Sequence, residues 1–449
     1  MNRYTPWVAL GGAIVGLCSS PAPQAANATP AHAFRPLHIQ LDKIPALSFP
    51  PSTSYCLTNY GIHCYQPAQF ARAYNLTALH SAGIDGSGTT IVIVDSYGSP
   101  TIANDLHVFD QEFGLPDPPS LKILQPAGPV PAFDPTNSDM VGWAVETTLD
   151  VEYAHVFAPG AAIVLVETPV SETEGVTGFP QIVQAENYVI NHGIGDVISQ
   201  SFGATEETFP NNDALLDLRS AFKNAALHHV TVLGASGDLG ATDYELNGSD
   251  IYPMRVDSWP SSDPLVTSVG GTQLDLDDAG NRLAPDVVWN DGYGAGGGGV
   301  SAVFLRPDFQ DGVRQRVGWA RGTPDISMSA AVDGAAILYY SFVPGSVGYH
   351  LVGGTSEASP EFAGIVAMAV QLAGHRLGLL GDKLYGLDRD ALVDVTMGNN
   401  TFGPFTNSDG NTYTVVGYQA VRGYDLASGL GTVDAPRFVR ALARQRDDE

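Results

Sequence analysis

Thr89–Asp95 reads TTIVIVD, a short run of β-branched residues with no polar interruption before its terminal aspartate. A run this short, apolar at every position and not at alternate ones, suits a strand buried on both faces of a parallel sheet. Ala162–Val166 (AIVLV), Val197–Ser201 (VISQS), Val230–Leu233 (VTVL) and Leu265–Val269 (LVTSV) resemble it. Between these runs lie helical patterns, Asp139–Phe157, Phe179–Asn191 and Asn212–His228. Strands alternating with helices specify an α/β fold: a doubly wound, mostly parallel sheet flanked by helices. From about residue 56 to residue 445 there is no internal repeat and no domain boundary, so one large domain with insertions is expected.

Composition narrows what such a domain does. The 449 residues carry 21 Lys+Arg against 48 Asp+Glu, a formal charge of −27. That balance argues against a phosphate-backbone partner, which needs basic patches. Only 15% of residues are charged while 44% are hydrophobic, so the chain is a folded protein with a carboxylate-rich, lysine-poor surface. Such a surface repels itself at neutral pH and relaxes when its carboxylates protonate, which fits an acidic workplace.

The first 33 residues read as a secretory signal peptide. Arg3 precedes an apolar run, Trp7 to Leu17, and an A-x-A site stands at Ala31-His32-Ala33. Cys18 would suggest a lipoprotein, but Leu17 occupies the position where a small residue is expected. The apolar run is too short for a stable membrane span. A secreted protein, free of the membrane after signal removal and monomeric, is therefore expected. Residues 34–55 are Pro-rich and form an N-terminal arm. Cys56 and Cys64 remain after signal removal, and two cysteines this close in an exported chain pair. Their short loop gives roughly 2–3 kcal/mol.

Three segments carry candidate chemistry. Gly353–Pro360 (GGTSEASP) opens a long apolar helix and puts Ser356 at its N-terminus, where free N–H groups favour a nucleophilic serine and its oxyanion. The same pattern also fits an ordinary Ser/Thr cap ahead of a first-turn proline. None of the eleven histidines stands in a His-Gly-Thr or chymotrypsin-like setting, and Gly-x-Ser-x-Gly is absent. Instead Trp143–Glu152 places Glu146 and Asp150 four apart on one helical face, with no Lys or Arg between Lys122 and Arg219. On an exposed helix that pairing costs roughly 0.2–0.5 kcal/mol and marks an acidic face. Within an apolar helix two carboxyls can share a proton, one serving as base while the other orients it. Third, Gly234–Gly240 (GASGDLG) follows the strand VTVL, where a neutral Asp238 could donate to an oxyanion or simply close an Asx turn.

Together, and in this order, these segments resemble the sedolisin family, the serine-carboxyl peptidases, over about residues 56–440. The resemblance is carried by E-x-x-L-D at Glu146/Asp150, S-x-G at Ser201-Phe202-Gly203, G-A-S-G-D at Asp238, S-V-G-G-T at Ser268–Thr272, G-G-G-x-S at Gly297–Ser301 and G-T-S-x-x-x-P at Ser356. It implies a subtilisin-like fold, an acidic working pH and a peptide or protein substrate. It also implies Ser356 as nucleophile, Glu146 as base, Asp150 as its partner and Asp238 as oxyanion acid, with Ser201, Phe202 and Gly203 pairing with substrate. Asp95 stands where subtilisins keep an aspartate and, lacking a matching histidine, is expected behind the site. Asp394-Val395 and Val421-Arg-Gly423-Tyr-Asp425 resemble the family's calcium site: side chains of Asp394 and Asp425, carbonyls of Val395, Val421 and Gly423, one Ca²⁺. Asn407–Asn411 (NSDGN) lacks EF-hand spacing and reads as a polar turn. The family's large propeptide has no counterpart between the signal and Cys56, which leaves a short inhibitory arm, a separate helper, or neither. An ordinary Ser-His-Asp protease and a catalytically dead peptide-binding protein are the alternatives. The missing histidine motif argues against the first, and the intact set of four residues against the second.

Overall fold

The computed structural model describes residues 38–41 and 44–445; the signal-peptide reading and Ala31–Ala33 lie outside them. TTIVIVD forms an interior strand of the main sheet, paired on both sides. In chain order the strands that matter are β1 (Ile39–Gln40), β2 (Cys64–Tyr65), β3 (Thr90–Ser96), β4 (Leu121–Leu124), β5 (Ala162–Thr168), β6 (Val197–Gln200), β7 (Thr231–Ala235), β8 (Thr267–Gln273), β9 (Val287–Val288), β10 (Ile326–Ser329), β11 (Ala335–Tyr340) and β12 (Gly348–Gly353). The main sheet runs β9-β8-β7-β6-β3-β5-β4, with β10 also paired to β8. All its pairings are parallel except β8 with β9.

The unalternating pattern has its physical reason in the packing. Ile91 and Ile93 enter one core with Leu149 and Phe362, while Val92 and Val94 enter a second core with Ile182 and Phe222. Helices α3 (Ser138–Phe157) and α6 (Thr355–Ala373) cover the first face; α4 (Phe179–Asn191) and α5 (Ser220–Leu227) cover the second. Two further helices, α1 (Thr53–Tyr60) and α2 (Ile102–Phe113), precede them. Burying four such side chains contributes roughly 1.5–3 kcal/mol each. On the α3–α6 side the helices touch closely: a Cβ added at Gly364 would lie 2.4 Å from Phe157 Cβ.

The helix expected over Asn212–His228 is broken. Asn212–Leu216 and α5 are separated by a 3₁₀ turn, Asp217–Arg219. Arg219 leaves the helical line to make a two-pronged pair with buried Asp263, at 2.5 and 2.8 Å, a long-range contact that local propensity does not anticipate. The arm is less featureless than its composition suggests. β1 adds antiparallel to β12, with Ile39 opposite Gly353, in a sheet ordered β1-β12-β11-β2, and α1 begins at Thr53, inside the expected arm. Cys56 and Cys64 form a disulfide, and Asn407–Asn411 turns between two short antiparallel strands. Among the described residues no helix is long and apolar enough to cross a membrane.

Candidate active site

The chain goes outward from β3 to β4, returns through β5, then crosses to β6 on the other side of β3. Open α/β sheets form their crevice at the carboxyl ends of the strands beside such a reversal. Asp95 is the penultimate residue of β3, Ser201 directly follows β6, and Asp238 follows β7. From one face of the sheet α3 brings Glu146 and Asp150, and α6 brings Ser356. All four sequence-predicted catalytic residues are buried in this region.

Local structure explains why Ser356 sits where it does. Gly354 adopts φ 135°, ψ 163°, a backbone that disfavours any side chain, and joins β12 to the first turn of α6. Ser356 is the second residue of that helix, at the positive end of its dipole. Its hydroxyl donates to the Ser201 carbonyl at 3.3 Å. Ser201 in turn donates its hydroxyl to Asp150 Oδ1 at 2.8 Å. Thr355 donates both its N–H and its hydroxyl to Asp238 Oδ1, each at 2.8 Å. The Gly237 N–H donates to the Thr355 hydroxyl at 3.0 Å. Asp238 Oδ2 is buried and has no hydrogen-bond partner. A buried orphan carboxyl oxygen beside a helix N-terminus and a serine is the donor arrangement that an oxyanion needs, provided the carboxyl is protonated.

Electrostatics favour that protonation. Burial pushes the Asp238 carboxyl well above its ordinary range, the Thr355 hydrogen bonds pull the other way, and the Glu146 charge adds to the rise. Asp150 is raised by burial first and then by the charges of Asp95 and Glu146. Asp95 is raised by burial and by Glu146. Asp95 thus lies within electrostatic reach of the pair, as expected. No arginine or lysine enters these balances, so the carboxyls must hold protons to share this space.

Three placements were not legible beforehand. His38 from the arm sets its Nδ1 against Glu146 Oε2. The segment around it, RPLHIQ, carries no motif, and 108 residues separate the partners. Among the described residues no histidine hydrogen-bonds to Ser356. Glu357 and Glu361, one and five residues after Ser356 on α6, are fully buried. Within the expected substrate-pairing segment, the Phe202 ring goes into an aromatic cluster with Trp143 and Phe179, at 6.2 and 6.1 Å. What that residue can offer a peptide is therefore its backbone.

The candidate calcium residues converge on one loop. Asp394 accepts the Gly423 N–H at 3.0 Å, and Asp425 accepts the Val421 N–H at 2.8 Å. Asp425 also accepts from the N–H and hydroxyl of Ser428, at 2.9 and 3.0 Å. Among the described residues no hydrogen bond is made to the carbonyls of Val395, Val421 or Gly423. Two carboxylates and three free carbonyls make an all-oxygen set that fits a hard cation such as Ca²⁺.

No protein-family model matches the chain. It is 32% identical over 387 residues to kumamolisin of Bacillus sp. (strain MN-32), an alignment covering 84% of this chain and 63% of that protein. It is 27% identical over 383 residues to sedolisin of Pseudomonas sp. (strain 101), covering 83% and 60%. The chain thus spans about three fifths of the length of these relatives. The solved structure of Pseudomonas sedolisin, a serine-carboxyl proteinase complexed with two molecules of pseudo-iodotyrostatin, superposes with a TM-score of 0.69 at 27% identity, over 84% of this chain and 98% of that one. In sequence and in its subtilisin-like fold the chain is thus similar to the sedolisin family of serine-carboxyl peptidases.

Proposed function

We propose that the chain is a secreted, acid-active serine-carboxyl peptidase that cleaves peptide bonds through an acyl-enzyme on Ser356. The observation that carries this reading is Asp238, whose Oδ1 is held by Thr355 beside Ser356 while its Oδ2 is left without a partner. Glu146 takes the Ser356 proton as the hydroxyl attacks the peptide carbonyl. Neutral Asp238 donates to the oxyanion, and the N–H groups of the first turn of α6 favour the same charge. Glu146 then returns its proton to the leaving amine, and in the second half it takes one from the attacking water. Asp150, held by the Ser201 hydroxyl, keeps a proton next to Glu146 and orients it. The Ser201–Gly203 backbone is where an extended substrate pairs. A pH profile on denatured protein, with mass spectrometry of the products, tests the reading. New peptides formed only in acid support it; an optimum near pH 8 or the absence of cleavage overturns it.

Asp394 and Asp425, with the carbonyls of Val395, Val421 and Gly423, would hold one Ca²⁺, which when bound ties two chain segments together. Binding to the folded state alone stabilises by about 2.7 kcal/mol at a hundredfold excess over Kd, a Tm shift of roughly 3 °C for a chain of this size. Chelation should lower Tm and added Ca²⁺ should restore it. Asp425→Ala by itself does not discriminate, because Asp425 also accepts hydrogen bonds from the loop. Asp394→Asn should abolish the calcium dependence. A Tm indifferent to chelator, with no metal by elemental analysis, removes the site.

A further inference from the structure

Glu357 and Glu361 are the most unusual groups in the core. They stand four apart on α6, so their side chains share one helical face. Both are 0% exposed, and none of their four carboxyl oxygens has a hydrogen-bond partner. Glu357 directly follows the nucleophile and is two residues from Thr355, which holds Asp238. The proposed reaction uses neither glutamate.

The groups that face them supply no counter-charge. From α3 comes Tyr153, whose phenol is held well above its usual range by burial and then by Glu357. From the segment after Pro67–Ala73 comes Tyr74, raised by burial and then by Glu361. The cation near this cluster, Arg282, stands over the ring of Tyr74, 5.5 Å from its centroid, and is committed to Asp286 at 2.7 Å. From β10 comes Ser329, whose hydroxyl works against the rise at Glu357 and whose backbone works against it at Glu361, neither bringing a charge. From the loop after β7 comes Asp238, a third carboxyl. Burial raises both glutamates well above the ordinary range; beyond that Asp238 raises Glu357, and Glu357 raises Glu361.

We propose that Glu357 and Glu361 are a positioning pair that seats the first turn of α6, and with it Ser356 and the Thr355–Asp238 contact, only while both carboxyls are protonated. Losing either proton puts a bare carboxylate in an apolar core beside other carboxyls, and the turn must move to hydrate it. The site is then lost as pH rises by an event separate from titration of Glu146 or Asp238.

The sign follows from linkage. An unfolded glutamate ionises near about pH 4.3 and the folded pair later, so above that pH the folded state binds more protons and its stability falls. Each such group lowers the folding equilibrium constant by up to about tenfold per pH unit, and two by up to about a hundredfold. The test is the melting temperature and tryptophan fluorescence of the full chain from pH 3 to pH 8, for wild type, Glu361→Gln and the double variant Glu357→Gln/Glu361→Gln. The fall with pH should be shallower in the single variant and shallower again in the double. The midpoint of alkaline unfolding should rise by about one pH unit or more. Activity at pH 3.5 should stay within about threefold of wild type, an arm that rests on the peptidase reading; the melting arm does not. Curves parallel to wild type overturn the proposal, as does lost acid activity with an unmoved unfolding midpoint. Should neither variant fold between pH 3 and pH 8, a neutral isostere cannot stand in for either carboxyl and the proposal is overturned.

Discussion

Ser356→Ala should lose turnover by roughly 10⁴-fold or more while its Tm stays within about 2 °C of wild type. The hydroxyl removed makes one hydrogen bond, to the Ser201 carbonyl at 3.3 Å, and is not part of an apolar contact set. Its loss is therefore nearly silent for folding and complete for acyl-enzyme chemistry. Glu146→Gln should be comparably inactive, because the amide can accept no proton from Ser356 and no lysine or arginine is at hand to replace it. Histidine substitutions make the opposite prediction. No histidine reaches Ser356 among the described residues, so each folded histidine variant, His38→Ala included, should keep appreciable acid activity. A folded histidine variant as inactive as Ser356→Ala would sink the carboxylate-base mechanism. The readouts are burst kinetics, intact-mass detection of an acyl adduct and Tm.

The second large effect is on the pH profile. In the proposed mechanism Glu146 must be ionised to accept the serine proton, and Asp238 must be protonated to donate to the oxyanion. Activity therefore rises with pH as the base loses its proton and falls as Asp238 loses its own. Burial holds the Asp238 carboxyl well above the ordinary range, with the Glu146 charge acting in the same direction. A working window thus opens between the two ionisations, and kcat/KM should be bell-shaped with a maximum below about pH 5. Because Asp95, Glu146 and Asp150 interact, the limbs report the group and not single residues. Asp238→Asn keeps a donor whose proton does not titrate. It should retain measurable activity and move the alkaline limb upward, whereas Asp238→Ala should fall by about 10²–10³-fold, the usual cost of an oxyanion donor. Asn and Ala variants with the same profile would show that Asp238 has another role.

How far the sequence reaches depends on how local the determining physics is. TTIVIVD specifies its own burial, because four consecutive β-branched residues have no polar face to turn to water. The GGTS turn is equally local, since the conformation at Gly354 rejects a side chain. Spacing alone brings Glu146 and Asp150 to one helical face. Where a partner is distant, the reading stops. Arg219 breaks a helix to reach Asp263, 44 residues away. His38 meets Glu146 across 108 residues and from a segment whose composition reads as a linker. Glu357 and Glu361 lie inside a motif that sequence reasoning had already singled out. On paper they are two polar residues in a helix; the neighbours that leave them without water come from α3, β10 and the loop after β7. Burial is a property of the assembled layers, and no window along the chain contains it.

The close approach at Gly364 has a consequence for reactivity. The site is assembled from two pieces. Ser356 and Asp238 belong to one, joined through Thr355 by hydrogen bonds of 2.8 Å. Glu146 and Asp150 belong to the other, carried on α3. In the proposed mechanism the reach from Glu146 to Ser356 depends on how closely α3 and α6 nest, and Gly364 lies about two turns along α6 from Ser356. Gly364 lets α6 rest against Phe157 with no side chain between them. The missing methyl group acts as a spacer of zero thickness, and the reach of the proposed general base depends on it.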